Sequence, residues 1–261
     1  MRRTGVAALL GGLLLALPAA GADDPKEGLK LLQKKTYTDP QGKTLLYRLL
    51  KPEGYDPAKK YPLVIFLHGA GERGNNNEAQ LKHGVKVVVQ ADVRKQSPCV
   101  RVAPQCPQRQ VWAGLEGGFN SHKQAAKPSE PGRLVLELVG AMQKEYSIDP
   151  NRIYLTGLSM GGYGTWDLLA RRPKLFAAGV PVCGGGDEST AERIVKIPIW
   201  VFHGDKDNSV PVARSRTMVE ALKKAGGHPK YTEYPGVGHN SWDKAYADPE
   251  LMKWLFAQKR S

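Results

Sequence analysis

The chain is poor in cysteine: Cys99, Cys106 and Cys183 are all it carries in 261 residues. A disulfide framework, the device that holds small secreted domains together, is therefore excluded as the source of its fold. Cys99 and Cys106 bracket Val100-Arg101-Val102-Ala103, which reads as a strand. Seven extended residues span roughly 23 Å, far beyond disulfide reach. Free, buried thiols are expected, and no cysteine or histidine spacing suits a metal site. Internal repeats and low-complexity tracts are also missing, which excludes solenoids and disordered chains. No apolar run reaches the ~18 residues that a membrane span needs. Acidic residues are the minority, 25 against 38 Lys and Arg, for a formal net charge of +13. Such a surplus favours acidic polymers or an anionic envelope. The basic residues are scattered, however, and no nucleic-acid motif accompanies them, so no nucleic-acid partner is expected.

What is present suits one large α/β domain, with 41 % hydrophobic and 24 % charged residues. The first 22 residues stand apart. Arg2 and Arg3 precede an apolar run from Val6 to Leu17, and Ala20-Gly21-Ala22 fits a small-residue cleavage site before Asp23. This reads as a signal peptide over 1–22, with a mature domain over 23–261. It implies a secreted or periplasmic protein without a membrane span after cleavage.

The mature chain opens with a hairpin, residues 35–38 and 44–50 around the turn Asp39-Pro40-Gln41-Gly42. Pro62-Leu63-Val64-Ile65-Phe66-Leu67 is a continuous apolar run, the pattern of a strand buried on both faces. Further strands are expected at 100–103, 152–156, 176–182, 198–202 and 231–234. Helices are expected at 132–146, 162–172, 211–225 and 249–259. Strands alternating with helices predict a mostly parallel sheet covered on both faces, with functional residues at the C-terminal strand edge.

Gly157-Leu158-Ser159-Met160-Gly161 lies at such an edge, between a strand and a helix. Small residues two positions away on each side allow the tight turn that lifts a serine hydroxyl out of the sheet. A serine needs a base, and the base an orienting carboxylate. His239 follows a flexible Gly236-Val237-Gly238 after the last strand, and is the expected base. Asp207 and Asp205 compete for the acid in the loop after strand 198–202; Asp207 lies further along, and a loop hydrogen bond suits Asp205. His68 and His203 precede glycines at strand ends, where a ring braces a loop. His83, His122 and His228 lie in polar segments and are expected at the surface. Acyl transfer also needs donors for a developing oxyanion, each worth about 3–4 kcal/mol. The backbone N–H groups of Met160 and Ala70 are placed to supply them.

With these residues, the chain resembles the α/β-hydrolase superfamily. The resemblance rests on Leu67-His68-Gly69-Ala70-Gly71-Glu72-Arg73-Gly74, Gly157 to Gly162, the stretch His203 to Pro211, and Gly238-His239. It covers Tyr47 to the C-terminus. Within that superfamily it is similar to secreted carboxylesterases of the phospholipase/carboxylesterase and polyhydroxybutyrate-depolymerase-like group, which includes feruloyl and acetylxylan esterases. The resemblance implies Ser159 as nucleophile, Asp207 as acid, His239 as base, Ala70 and Met160 as oxyanion donors, and no metal or organic cofactor. Glu72 and Arg73 are expected to hold the oxyanion loop as a structural pair and not to act as catalysts. Only Cys183 to Ile197 separates the two strands where a cap usually enters, so no large cap domain is expected. No propeller precedes the domain either, which weakens a prolyl-oligopeptidase reading.

The long connection 105–131 leaves the catalytic edge, where it either walls the cleft or forms a mobile surface loop. It carries Trp112 and Phe119, and Trp112 is the first choice for a substrate contact, with Trp242 second. The expected substrate is a small-molecule or polysaccharide-linked ester with a short or aromatic acyl group. A serine peptidase using the same triad is the alternative, and a binding module on an inactive hydrolase scaffold the non-enzymatic one. Oligomeric state is not encoded in any motif.

Overall fold

Alternation along the strands builds the architecture. In the central strand β3 (Tyr61–Leu67) every residue is buried. Leu63, Ile65 and Leu67 join one apolar cluster, and Val64 and Phe66 join another. Ile153 and Leu155 against Tyr154 divide the same way in β5 (Ile148–Leu158), as does Val201 against Trp200 and Phe202 in β7 (Trp200–Gly204). Two cores on opposite faces of one sheet are what continuous apolar runs demand. The structure, a computed structural model, describes residues 25–118 and 122–260. The signal-peptide reading of 1–22 and Phe119 lie outside the described residues.

The remaining strands are β1 (Gln33–Thr38), β2 (Thr44–Leu50), β4 (Val100–Pro104), β6 (Ala178–Val182) and β8 (Lys230–Tyr234). The order across the sheet is β1-β2-β4-β3-β5-β6-β7-β8. The β1–β2 and β2–β4 pairs are antiparallel, and β4, β3, β5, β6, β7 and β8 run parallel. This is the α/β-hydrolase fold, with an N-terminal antiparallel hairpin as expected.

The helices are α1 (Pro25–Lys30), α2 (Val85–Val88), α3 (Ala91–Gln96), α4 (Glu130–Glu145), α5 (Met160–Arg171), α6 (Ala191–Ile194), α7 (Ala213–Lys224), α8 (Trp242–Ala247) and α9 (Pro249–Ala257). One core is covered by α4, α5 and α7, through side chains such as Leu134, Leu138, Trp166, Leu169, Met218 and Leu222. The other is covered by α8 and α9, through Ala245, Tyr246, Leu251 and Leu255. No helix among the described residues is long and apolar enough to cross a membrane. Between β6 and β7 the chain forms only a short 3-10 turn and the single turn α6, and no cap domain is evident. The short helices α1, α2, α3, α6 and α8 were not legible from periodicity, because four to six residues carry too few turns for a 3.6-residue pattern. Cys99, Cys106 and Cys183 are free and buried.

Candidate active site

Three strand ends bring the site together. β5 ends at Leu158 and α5 starts at Met160, so Ser159 alone makes the turn, at φ 54° and ψ −116°. That is left-handed backbone space, costing about 1–3 kcal/mol for a side-chain-bearing residue. The Ser159 amide donates to Val182 O at 2.9 Å and its carbonyl accepts from the Tyr163 amide at 3.1 Å, and both bonds hold the turn. Gly161 is required by close approach: a Cβ there would lie 2.0 Å from Leu67 O.

Asp207 follows β7 and His239 follows β8. His239 lies with Nε2 2.9 Å from Ser159 Oγ and Nδ1 2.8 Å from Asp207 Oδ2. A neutral ring with its proton on Nδ1 donates to the carboxylate and leaves Nε2 free to accept the hydroxyl proton. Asp205 is not in this chain of bonds. Its Oδ1 accepts from the Gly236 amide at 2.7 Å and ties the loop after β7 to the loop after β8, the loop role expected of it.

The Asp207 carboxylate is buried and fully engaged. Oδ1 accepts from the amides of Ser209 and Val210 at 2.8 and 2.9 Å. Oδ2 also meets His203 Nε2 at 3.1 Å. Burial alone would raise the Asp207 pKa, but the bonds from His239, Val210 and Ser209 outweigh it and hold the group below the usual carboxylate range. His203 braces the loop as expected, and it also touches Asp207 itself. Burial pushes its own pKa down, so the ring is neutral. A proton on Nε2 serves Asp207 Oδ2 and Val210 O, and Nδ1 lies 2.7 Å from Ser215 Oγ.

The loop after β3 faces the serine from the other side. Among the described residues, the amides of Ala70 and Met160 donate to no protein acceptor, and both residues line the cavity that holds Ser159 Oγ. Arg73 Nε donates to Ala70 O at 2.8 Å. Glu72 is buried beside His83 Nε2 at 3.8 Å. The expected pair does not form: Arg73 and Glu72 do not bond to each other, and each meets its own partner. His68 braces it from below: Nδ1 donates to Gly69 O at 2.6 Å and Nε2 accepts the Cys106 amide at 2.9 Å.

Burial pushes the His68 imidazole down to about 4. A free imidazole titrates near 6.5, so on acidification the unfolded chain takes the proton first. The stability from a neutral buried His68 is complete above about pH 6.5 and is lost as pH falls towards 4, by roughly 3 kcal/mol in all. Urea midpoints measured from pH 7 to pH 4.5 should fall along this interval. The slope should be shallower in His68→Gln, and an unchanged slope would contradict the assignment.

Two of the expected substrate contacts need correction. Trp112 does not wall the cleft. It is fully buried, its Nε1 donates to His68 O at 3.0 Å, and its ring meets His68 edge-on at 5.1 Å. The connection from Gln105 folds back into the core, where the indole supplies a donor that the buried His68 carbonyl requires. Trp242 is half-buried and stands edge-on to His239, with ring centroids 5.2 Å apart and planes at 86°. It packs against the imidazole and is not among the residues lining the cavity around Ser159.

His122, expected at the surface, is buried, and its Nε2 lies 2.9 Å from Tyr163 Oη. Together with Arg214 these two rings line the cavity of about 480 Å³ above Ser159. Tyr163 was accessible to sequence reasoning, since it follows Ser159 by one helical turn and so shares its face. Cys183, Asp207 and His239 place donor atoms within 4.8 Å of one another. The Asp207–His239 bond already uses two of these atoms, and burial pushes the Cys183 thiol strongly up, keeping it protonated. This donor set suits a proton relay and suits a metal poorly.

Residues 55–249 match the phospholipase/carboxylesterase family. The chain belongs to that family. A solved thermostable esterase of this fold is 44 % identical with a TM-score of 0.83, covering 88 % of this chain and 64 % of that one. The Aspergillus terreus protein named "Probable feruloyl esterase C" is 27 % identical over 184 residues, 69 % of this chain and 62 % of its own length. A poly(3-hydroxyalkanoate) depolymerase C from Paucimonas lemoignei is 41 % identical over 84 residues, 29 % of this chain and 20 % of its own. The chain thus spans less than two thirds of the length of these relatives.

Proposed function

We propose that this protein is a serine carboxylesterase that works through an acyl-enzyme on Ser159. The observation that carries this reading is the unbroken chain of bonds Ser159 Oγ–His239 Nε2 and His239 Nδ1–Asp207 Oδ2. Membership of the phospholipase/carboxylesterase family supports it. Ser159 attacks the ester carbonyl as His239 takes its proton, and Asp207 stabilises the imidazolium. The amides of Ala70 and Met160 receive the oxyanion. Collapse of the tetrahedral intermediate expels the alcohol, protonated by His239. Water then attacks the acyl-enzyme with His239 again as base, and the acid leaves.

Short or aromatic acyl groups are the proposed substrates, including feruloyl and acetyl esters of plant polysaccharide. The open cavity and the absence of a cap among the described residues support small or polymer-linked esters over long-chain lipids. With a leader at 1–22, the mature enzyme acts outside the cytoplasm. The test is a panel of 4-nitrophenyl, feruloyl and acetyl-xylan esters set beside peptide substrates. Ester turnover well above peptide turnover is expected. Peptide cleavage as the faster reaction would overturn the ester reading and favour a peptidase.

A further inference from the structure

We infer that this esterase selects esters carrying an anionic group, a carboxylate above all, close to the scissile bond, and that Arg214 is the residue that reads it. The inference rests on the esterase reading above and concerns the same cavity.

Arg214 lines the cavity that holds Ser159 and His239. It sits in the first turn of α7, where a cation opposes the helix dipole. That turn carries no acidic residue, and its cap, Val212, offers no side-chain acceptor. Nothing local therefore favours an arginine here for stability. Among the described residues no carboxylate pairs with it and no carbonyl accepts from its guanidinium, whereas the neighbouring Arg216 is paired with Glu233. The side chain starts beside Tyr163: a Cβ on Gly185 would lie 2.9 Å from Arg214 Cβ and 3.1 Å from Tyr163 Cε1, so the two residues flank that glycine.

No residue lining the cavity is acidic. The nearby Asp207 is already engaged by two imidazoles and two amides. A half-buried arginine with unused guanidinium donors, on a wall without countercharge, is a receptor for an oxyanion. The net charge, +13 for the full chain and +11 without Arg2 and Arg3 (13 − 2), adds a field that draws anions towards the protein.

The test compares two ester pairs matched in size and differing by one charge. The first is 4-acetoxybenzoate against 4-acetoxybenzamide, with the charge on the alcohol side. The second is phenyl 4-carboxybenzoate against phenyl 4-carbamoylbenzoate, with the charge on the acyl side. The readout is the ratio of kcat/KM, anionic over neutral, in at least one pair. A ratio of about ten is expected. It should fall with added salt, drop towards one in Arg214→Gln, and survive in part in Arg214→Lys. Ratios near or below one in both pairs, or a ratio unmoved in Arg214→Gln, would overturn the inference while the esterase reading stands. Absence of turnover for all four esters and for 4-nitrophenyl acetate would overturn both.

Discussion

Ser159→Ala is expected to lower kcat for 4-nitrophenyl acetate by at least ~10,000-fold, because no acyl-enzyme can form without Oγ. The substitution removes one atom from a position where only His239 Nε2 is bonded to it. The turn itself is held by backbone bonds to Val182 and from Tyr163, and alanine occupies the left-handed conformation at the same cost as serine. Melting temperature should therefore stay close to that of the parent. Loss of activity with an intact fold separates a nucleophile from a structural serine. Retained turnover at more than about a tenth of the parent rate would remove Ser159 from the mechanism.

Gly161→Ala should do the reverse and attack the fold first. Its new Cβ would meet Leu67 O at 2.0 Å and His68 O at 2.9 Å. Both are backbone atoms where β3 turns into the following loop, so neither can yield without moving Ala70. A cost of about 3 kcal/mol or more follows from overpacking a site with no flexible neighbour. That corresponds to a fall of about 10 °C in melting temperature for a domain of this size. Gly140→Ala is the matched control. Nothing lies within 4 Å of a Cβ at that position in α4, and removing a helical glycine should stabilise by ~0.5–1 kcal/mol. Equal melting temperatures for the two variants would contradict the close-approach account of the turn.

The bonded trio Ser159, His239 and Asp207 was legible because all three residues follow strand ends, and strand ends carry strong local marks. Ser159 lies in Gly-x-Ser-x-Gly, Asp207 lies in a polar loop between β7 and α7, and His239 follows Gly-x-Gly. Each mark is local, and the parallel sheet brings the three loops to one edge. The cavity wall was less legible, because a long connection does not disclose which side chains it turns inwards. Trp112 looks like a cleft aromatic in sequence, yet the Gln105 connection buries it beneath His68. His122, from the same connection, is the ring that reaches the cavity. Arg214 carried a faint signal: the helix expected to begin at 211 lies directly behind the acid loop, so its first turn had to face the catalytic edge. The absence of a partner for Arg214 could not be read from sequence, since pairing depends on which distant loops arrive beside it.

A nucleophilic Ser159 activated by His239 reacts with a fluorophosphonate, and an inert serine does not. Incubation of the folded protein with a fluorophosphonate, followed by peptide mass spectrometry, tests this most directly. One phosphonyl group on the peptide containing Ser159, with labelling abolished in His239→Ala, is the predicted result. A folded protein that takes no label, or takes it at another residue, would contradict the account.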